Sequence, residues 1–203
     1  GLSVILNNDG TKDCKVLGSF GEALKAQSSD PALWARLKEI FSAPSLQLVS
    51  FTITEKGYAL TNSAGTYFPY VQADIDNGPD KVTGAMGVVT AMLLERYKNG
   101  KTPLALVSMD NCSKNGSLLR RSVITMAEEW QKKGYVEDGF LSYVSDEATV
   151  SFPWTMIDKI TPRPNASVED ILKKDGVEEL EPVITSKNTY VAPFVNAEEC
   201  EYL

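Results

Sequence analysis

The chain has 203 residues, with 20 Lys and Arg against 27 Asp and Glu, a net charge of −7, a hydrophobic share of 43% and no His. That size and apolar share suit one large globular domain, while the acidic balance argues against a nucleic-acid partner, because phosphate binding needs clustered Lys and Arg. Without His there is no Ser-His-Asp triad, no His-based acid–base chemistry and no His-ligated zinc, and no metal site is expected.

No apolar run approaches the roughly 18 residues of a membrane span, so no membrane partner is expected. No secretory signal is visible. Cys14, Cys112 and Cys200 are odd in number and widely spaced. They do not read as a disulfide framework, and a reducing, cytoplasmic setting follows. The first residues already resemble a strand and the last ones enter another, so the chain reads as a piece of a longer protein.

In chain order, Leu2 to Leu6 is a strand candidate, and Asn8-Asp9-Gly10 is a turn signal. Cys14 to Gly18 is expected to pair back as a hairpin. Phe20 to Gln27 reads as a short helix. Asp30 then Pro31 is a helix start, N-cap followed by proline at the first helical position. Leu33, Leu37, Ile40 and Phe41 give that helix its apolar face. Leu46 to Ile53 is a strand leading into Thr54-Glu55-Lys56-Gly57-Tyr58. A loop at 62–65 follows, and residues 66–80 are polar, broken by Pro69, Gly78 and Pro79, with few regular elements expected. Val82 to Tyr97 is a strong helix with Met86, Val89, Met92 and Leu93 inward, ended by Asn99-Gly100.

Leu104, Leu106 and Val107 form a short buried strand that ends in Asp110 and Asn111. Lys114-Asn115-Gly116 turns the chain into a second strong helix, Ser117 to Lys133, faced by Leu118, Leu119, Val123, Met126 and Trp130 and stopped by Gly134. Residues 135–148 read as partly helical at best. Val150 to Pro153 is a short strand, and Trp154 to Ile160 continues extended. Thr161 to Pro164 is a rigid loop. Ser167 is read as the cap of a helix through Lys173, ended by Gly176. Val183 to Thr185 and Tyr190 to Val195 are late strands. Alternating strands and helices argue an α/β fold.

Three polar corners follow apolar strands: Thr54 to Tyr58, Asp110-Asn111, and Asp158-Lys159. In an open α/β sheet, ligands bind outside the carboxyl ends of the strands, so parallel neighbours would bring all three corners to one edge. An Asn amide is a donor at any ordinary pH and suits the oxygen of a ketone as it gains negative charge. Asp110 and Asn111 serve equally well as helix caps. Gly57 would let backbone approach a ligand, Glu55 would accept from ribose hydroxyls, and Thr54 would donate to a phosphate or ribose oxygen; a solvated turn is the plain alternative. Asp158 sits among Met156, Ile157 and Ile160, where a carboxylate pairs with a cation such as Lys159 or Arg163, or has its pKa raised. Cys112 lacks an activating His and reads as a packing residue.

The residues Ser108-Met109-Asp110-Asn111 with Asn115-Gly116 resemble the S-C-D-N-x-x-x-N-G signature of the mannitol dehydrogenase family, the polyol-specific long-chain dehydrogenases. Phe152-Pro153-Trp154-Thr155-Met156-Ile157-Asp158-Lys159-Ile160-Thr161-Pro162 resembles that family's F-P-x-x-M-V-D-R-I-T-P. Thr52-Ile53-Thr54-Glu55-Lys56-Gly57-Tyr58 resembles its T-V-T-E-x-G-Y. The motifs stand in the family's order. Met109 replaces the usual Cys, Ile157 the usual Val and Lys159 the usual Arg.

The resemblance implies a Rossmann-like domain, a mostly parallel sheet flanked by helices, truncated at both ends. It implies an NAD(P)-dependent oxidoreductase that interconverts a sugar alcohol or aldonate with a ketose or ketouronate. The overall likeness favours aldonate and ketouronate, with mannitol oxidation as the alternative and a non-catalytic α/β binding module as the reading from another class. NAD is favoured over NADP. By motif, Asn111 is the catalytic and substrate-binding residue that holds the reacting oxygen, and Asp158 lines the substrate pocket. Thr54, Glu55, Gly57, Tyr58 and Asp110 would meet the cofactor. The family's G-x-G-x-F-H-R start is absent. Its lysine base lies in a K-x-x-x-x-N-x-x-H motif of a helical C-terminal domain, which a chain without His cannot contain. Residues 1–203 are therefore expected to be a partial NAD(P)-binding domain, inactive without that C-terminal domain as partner.

Overall fold

The computed structural model describes residues 2–6, 9–16, 18–157 and 165–192. It divides into two compact units, residues 1–155 and 156–203. The first opens on a hairpin of β1 (Leu2–Leu6) and β2 (Lys12–Val16), antiparallel with Leu2 opposite Val16 and Leu6 opposite Lys12. Gly10, at φ 86°, takes the left-handed position that this turn needs.

Helix α1 (Pro31–Ser42) begins as its sequence dictates: the Asp30 carboxylate accepts from the amides of Ala32 and Leu33, both at 3.1 Å. Its buried residues are Trp34 and Phe41, with Leu37 packed against the core. The inward face is thus rotated toward Trp34, while Leu33 and Ile40 are only half-buried. The helix expected over Phe20 to Gln27 does not form. Phe20 is 63% exposed and nearly all its neighbours lie in solvent, so no buried face repays the cost of nucleating a helix.

The strands β3 (Leu48–Phe51), β4 (Leu104–Ser108) and β5 (Val150–Ser151) form a parallel sheet in the order β3-β4-β5. Leu48 pairs with Ala105, and Leu104 with Val150. The chain passes from β3 to β4 through α2 (Thr54–Tyr58), α3 (Pro69–Asn77) and α4 (Ala85–Lys98), and from β4 to β5 through α5 (Asn115–Lys132) and α6 (Asp138–Ser145). Two of these helices correct the sequence reading. In α3, Pro69 is the first helical residue and Gly78, at φ 77°, ends it. The supposed breakers are its start and stop signals, and Val71, Asp74 and Ile75 give it a buried face. In α6, Phe140, Tyr143 and Val144 do the same over eight residues.

Helix α4 is the centre of the unit, packed against α1, α2, α3, α5 and α6. Every residue from Met86 to Leu94 is buried, as expected of a helix that is apolar all round. Its start is capped from α3: the Asp74 carboxylate accepts from the Thr83 and Gly84 amides, both at 2.8 Å. Near its end, Arg96 is 1% exposed and donates to five main-chain carbonyls, those of Phe41, Ala43, Leu46, Thr102 and Pro103, at 2.7 to 3.0 Å. This guanidinium ties the chain entering β3 to the chain entering β4. Helix α5 packs against β4, α4 and α6, and buries Leu119, Val123, Met126, Ala127 and Trp130.

The second unit holds α7 (Ala166–Lys174) and an antiparallel pair, β6 (Val183–Ile184) with β7 (Tyr190–Val191). Asn165, not Ser167, is the N-cap of α7; its side chain accepts from the Ser167 amide at 3.0 Å. An Asn one residue before the first turn offers the cap oxygen in the geometry that a residue already inside the helix cannot. Among the described residues, no helix is long and apolar enough to cross a membrane.

Candidate functional site

The carboxyl ends of β3 and β4 lie side by side, because the two strands are parallel and Phe51 pairs with Ser108. The chain leaves β3 into α2 and leaves β4 at Asp110-Asn111, so two of the three corners share one rim. The third was built on Asp158, which lies outside the described residues.

A shared carboxylate joins the two corners. Asp110 Oδ2 accepts from the Ile53 amide and Oδ1 from the Thr54 amide, both at 2.9 Å, and the Tyr58 hydroxyl donates a short hydrogen bond to Oδ2. Successive amides turned onto one anion make a backbone nest, and here the anion is the protein's own side chain. Partial burial raises the Asp110 pKa, but the bonds from Tyr58, Ile53 and Thr54 outweigh it and hold the carboxyl below its usual value. Tyr58 is 2% exposed, its hydroxyl between Asp110 and the Ser108 hydroxyl at 2.7 Å. Its pKa is raised, first by burial and then by the adjoining carboxylate. The Tyr58 carbonyl accepts from Ser122 of α5 at 2.6 Å.

Thr54 has φ 63°. A β-branched residue in the left-handed region is a strained outlier, costing about 1–3 kcal/mol. Its amide bond to Asp110 offsets that cost. Gly57 serves the same turn: a Cβ there would stand 2.8 Å from two side-chain carbons of Ile53. Its missing side chain makes room for Ile53, so glycine is needed at 57 for packing within the turn itself.

A second clasp fixes β4 to the segment after β5. Asn115 is fully buried, and its Nδ2 lies 2.8 Å from Thr155 Oγ1, 3.1 Å from the carbonyls of Asp110 and Thr155, and 3.3 Å from that of Ser108. Its Oδ1 accepts from the Gly116 amide at 2.8 Å and the Thr155 amide at 3.0 Å. Gly116 has no room for a side chain, since a Cβ would stand 2.3 Å from the Phe152 carbonyl oxygen. Trp154, 59% exposed, donates through its indole to Ser117 Oγ at 2.8 Å, with Lys114 Nζ 5.7 Å from its ring centre. Sequence reasoning saw Asn115-Gly116 only as part of a turn and a motif; the buried polar clasp they form with Thr155 went unread.

What remains facing outward is mostly polar, with Met109 exposed beside Asp110. Thr54, Glu55 and Asn111 are exposed, and their side chains have no hydrogen-bond partner among the described residues. Cys112 is pushed to a raised pKa by burial and then by the negative charges of Glu55 and Asp110, and it packs against the core. That places the Glu55 carboxylate near the Asp110 corner. The polar set comprises a hydroxyl, a carboxylate and an amide at the carboxyl ends of β3 and β4. These groups suit ribose hydroxyls and a carbonyl oxygen, and Lys56, exposed in the same turn, adds a cation.

The family model for the mannitol dehydrogenase Rossmann domain matches residues 3–192. The D-mannonate oxidoreductase of Thermotoga maritima is 48% identical over 202 residues, which is 100% of this chain and 37% of that protein. A mannitol 2-dehydrogenase of Pyrenophora tritici-repentis is 32% identical over 181 residues, 87% of this chain and 30% of that protein. Among solved structures, Pseudomonas fluorescens mannitol 2-dehydrogenase in a ternary complex with NAD and D-mannitol matches with a TM-score of 0.58 at 25% identity, covering 96% of this chain and 36% of that one.

Proposed function

Because the chain belongs to the mannitol dehydrogenase family, as its Rossmann domain, we propose that it is the nucleotide-binding part of a longer NAD(P)-dependent oxidoreductase acting on an aldonate, with D-mannonate as the substrate of first choice. The observation that carries this is the 48% identity to a D-mannonate oxidoreductase across the whole chain, against 32% to a mannitol 2-dehydrogenase. The chain spans 37% of that oxidoreductase. The lysine base and the helical domain that carries it belong to the remainder in this reading, as does the glycine-rich phosphate turn.

The nicotinamide cofactor, when bound, supplies the hydride acceptor for the alcohol carbon. NAD is favoured, because the mannitol 2-dehydrogenase ternary complex holds NAD. Residues of this chain bind and orient. The Thr54 hydroxyl and Glu55 carboxylate meet ribose hydroxyls. The Asn111 amide donates to the substrate oxygen as that oxygen passes between alcohol and ketone, and a fixed donor there favours the charge that develops on it. By the family motif, Asp158 is assigned to the substrate. Cytoplasmic placement belongs to the same reading and rests on cysteine usage, Cys14 and Cys112 being free thiols.

The test is oxidation of D-mannonate and D-mannitol by the full-length protein, with NAD and with NADP, beside residues 1–203 alone. Turnover of D-mannonate by the full-length protein and none by the fragment is expected. Preference for D-mannitol would move the substrate to the polyol, and no turnover of any pair would leave the non-catalytic module.

A further inference from the structure

Asp110 was expected among the groups that meet the cofactor, yet its oxygens are taken up by three donors of its own chain. Those donors belong to one turn. Ile53 and Thr54 bracket the exit from β3, and Tyr58 closes the last turn of α2. Thr54 stands at φ 63°, where a threonine does not rest unaided. Ile53, just before it, has φ −121° and ψ 6°, and this pair of conformations turns two successive amides toward one anion. The exposed side chains of Thr54 and Glu55 point where they do because of that turn. An Asn at 110 would keep the size and lose the fit: its amide nitrogen would face an N–H donor.

We propose that Asp110 is a positioning residue, which by filling the nest of the Ile53 and Thr54 amides holds α2 in the left-handed start that presents Thr54 and Glu55 to the nucleotide. The inference rests on the reading of this rim as a cofactor site.

The test is NADH and NADPH binding by the full-length protein, followed by fluorescence well below the thermal midpoint of each variant. Asp110→Asn is expected to weaken binding about tenfold, equivalent to about 1.4 kcal/mol. Tyr58→Phe, which keeps the ring and removes one of the three donors, is expected to weaken it about threefold, and it carries the test if Asp110→Asn does not fold. The decisive variant is Asp110→Asn with Thr54→Gly. Thr54→Gly alone forfeits the Thr54 hydroxyl, but glycine adopts positive φ without a carboxylate to hold it, so the double variant is expected to bind within about threefold of Thr54→Gly. A merely structural Asp110 would lower the thermal midpoint and leave the dissociation constant unchanged. Unchanged binding in Asp110→Asn, or a gap of about tenfold between the double variant and Thr54→Gly, overturns the proposal while wild-type binding keeps the cofactor reading intact. A wild type that binds neither dinucleotide overturns that reading, and the positioning role with it.

Discussion

Replacing Arg96 by Met removes a cation that five carbonyls share and leaves a side chain of similar reach. Two of those carbonyls keep other donors: Thr102 has the Tyr143 hydroxyl at 3.0 Å and Ala43 has the Leu46 amide at 3.1 Å. Phe41, in the last turn of α1, lies beyond the reach of intrahelical donors, and the Leu46 and Pro103 carbonyls face the same guanidinium. A buried acceptor stripped of its partner costs about 1–3 kcal/mol. Water that follows the cavity offsets part of this, so a loss of about 4 kcal/mol is expected from the stranded acceptors. At about 2–4 °C per kcal/mol for a domain of this size, the thermal midpoint should fall by about 8–16 °C. Arg96→Lys keeps the charge but offers three donors from one nitrogen, and should fall between. Arg36→Met is the control: Arg36 pairs with Glu22 and Glu39 at the surface with its side chain 40% exposed, where such pairs are worth about 1 kcal/mol or less. Circular dichroism melts of the three variants make the comparison. An Arg96→Met midpoint as close to wild type as that of Arg36→Met would refute the clamp and mean that water serves those carbonyls as well as the guanidinium does.

Three further outcomes are expected. Asn111→Ala should lower kcat of the full-length enzyme by about 100-fold, the scale of one lost donor to a developing charge, with the melting temperature unmoved because the exposed Asn111 side chain has no hydrogen-bond partner among the described residues; an unchanged kcat removes it from the mechanism. Gly116→Ala should destabilise by about 2 kcal/mol or more, because the new Cβ would meet the backbone oxygens of Phe152 and Pro153 at 2.3 and 2.5 Å and neither can rotate away; a melt within error of wild type would contradict that. The Asp110 carboxyl has a depressed folded pKa, so its stabilising contribution is fully present above the unfolded value of about 3.9 and is lost as pH falls below it through the folded value. The stability gap between wild type and Asp110→Asn in urea should therefore be constant from about pH 7 to 5 and narrow below about pH 4, whereas a gap that stays constant at acid pH would show that the carboxylate's charge is not what the donors hold.

The sequence was most legible where a single local signal decides the structure. Asp30-Pro31 announces α1 without help from the rest of the chain, and the unbroken apolar stretch of α4 can only be a buried helix. The meeting of the Thr54 and Asp110 corners was legible only on the condition that their strands are parallel neighbours, which β3 and β4 are. Legibility ended where a residue's meaning depends on what lies opposite. Pro69 and Gly78 read as breakers until Val71, Asp74 and Ile75 are seen to bury one face. Gly57 gave no sign in the sequence that the Ile53 side chain packs against it. Asn115 carries no local mark of burial; its partner Thr155 lies forty positions away. The family motifs did register that Asn115-Gly116 and Asp110 belong together, but a motif does not say which members touch a ligand and which hold the others in place.

The structure separates those two duties by hydrogen bonding. Asp110, Tyr58, Ser108, Asn115 and Thr155 bond to one another and to the backbone at the exits of the strands, while Arg96 closes the opposite ends of β3 and β4 in the same way. A polar group already bonded inside the protein has little left to offer a ligand. A group with no partner, held on a turn that cannot relax, gives its full strength to whatever arrives and loses little freedom in doing so. Among the described residues of this rim, the side chains of Thr54, Glu55 and Asn111 are in that condition. Their exposure is consistent with recognition only because the turn beneath them is over-determined, by a carboxylate below Thr54 and by an asparagine clasp behind Asp110 and Asn111. Loosening either support should therefore show first in the ligand's affinity and only second in the fold.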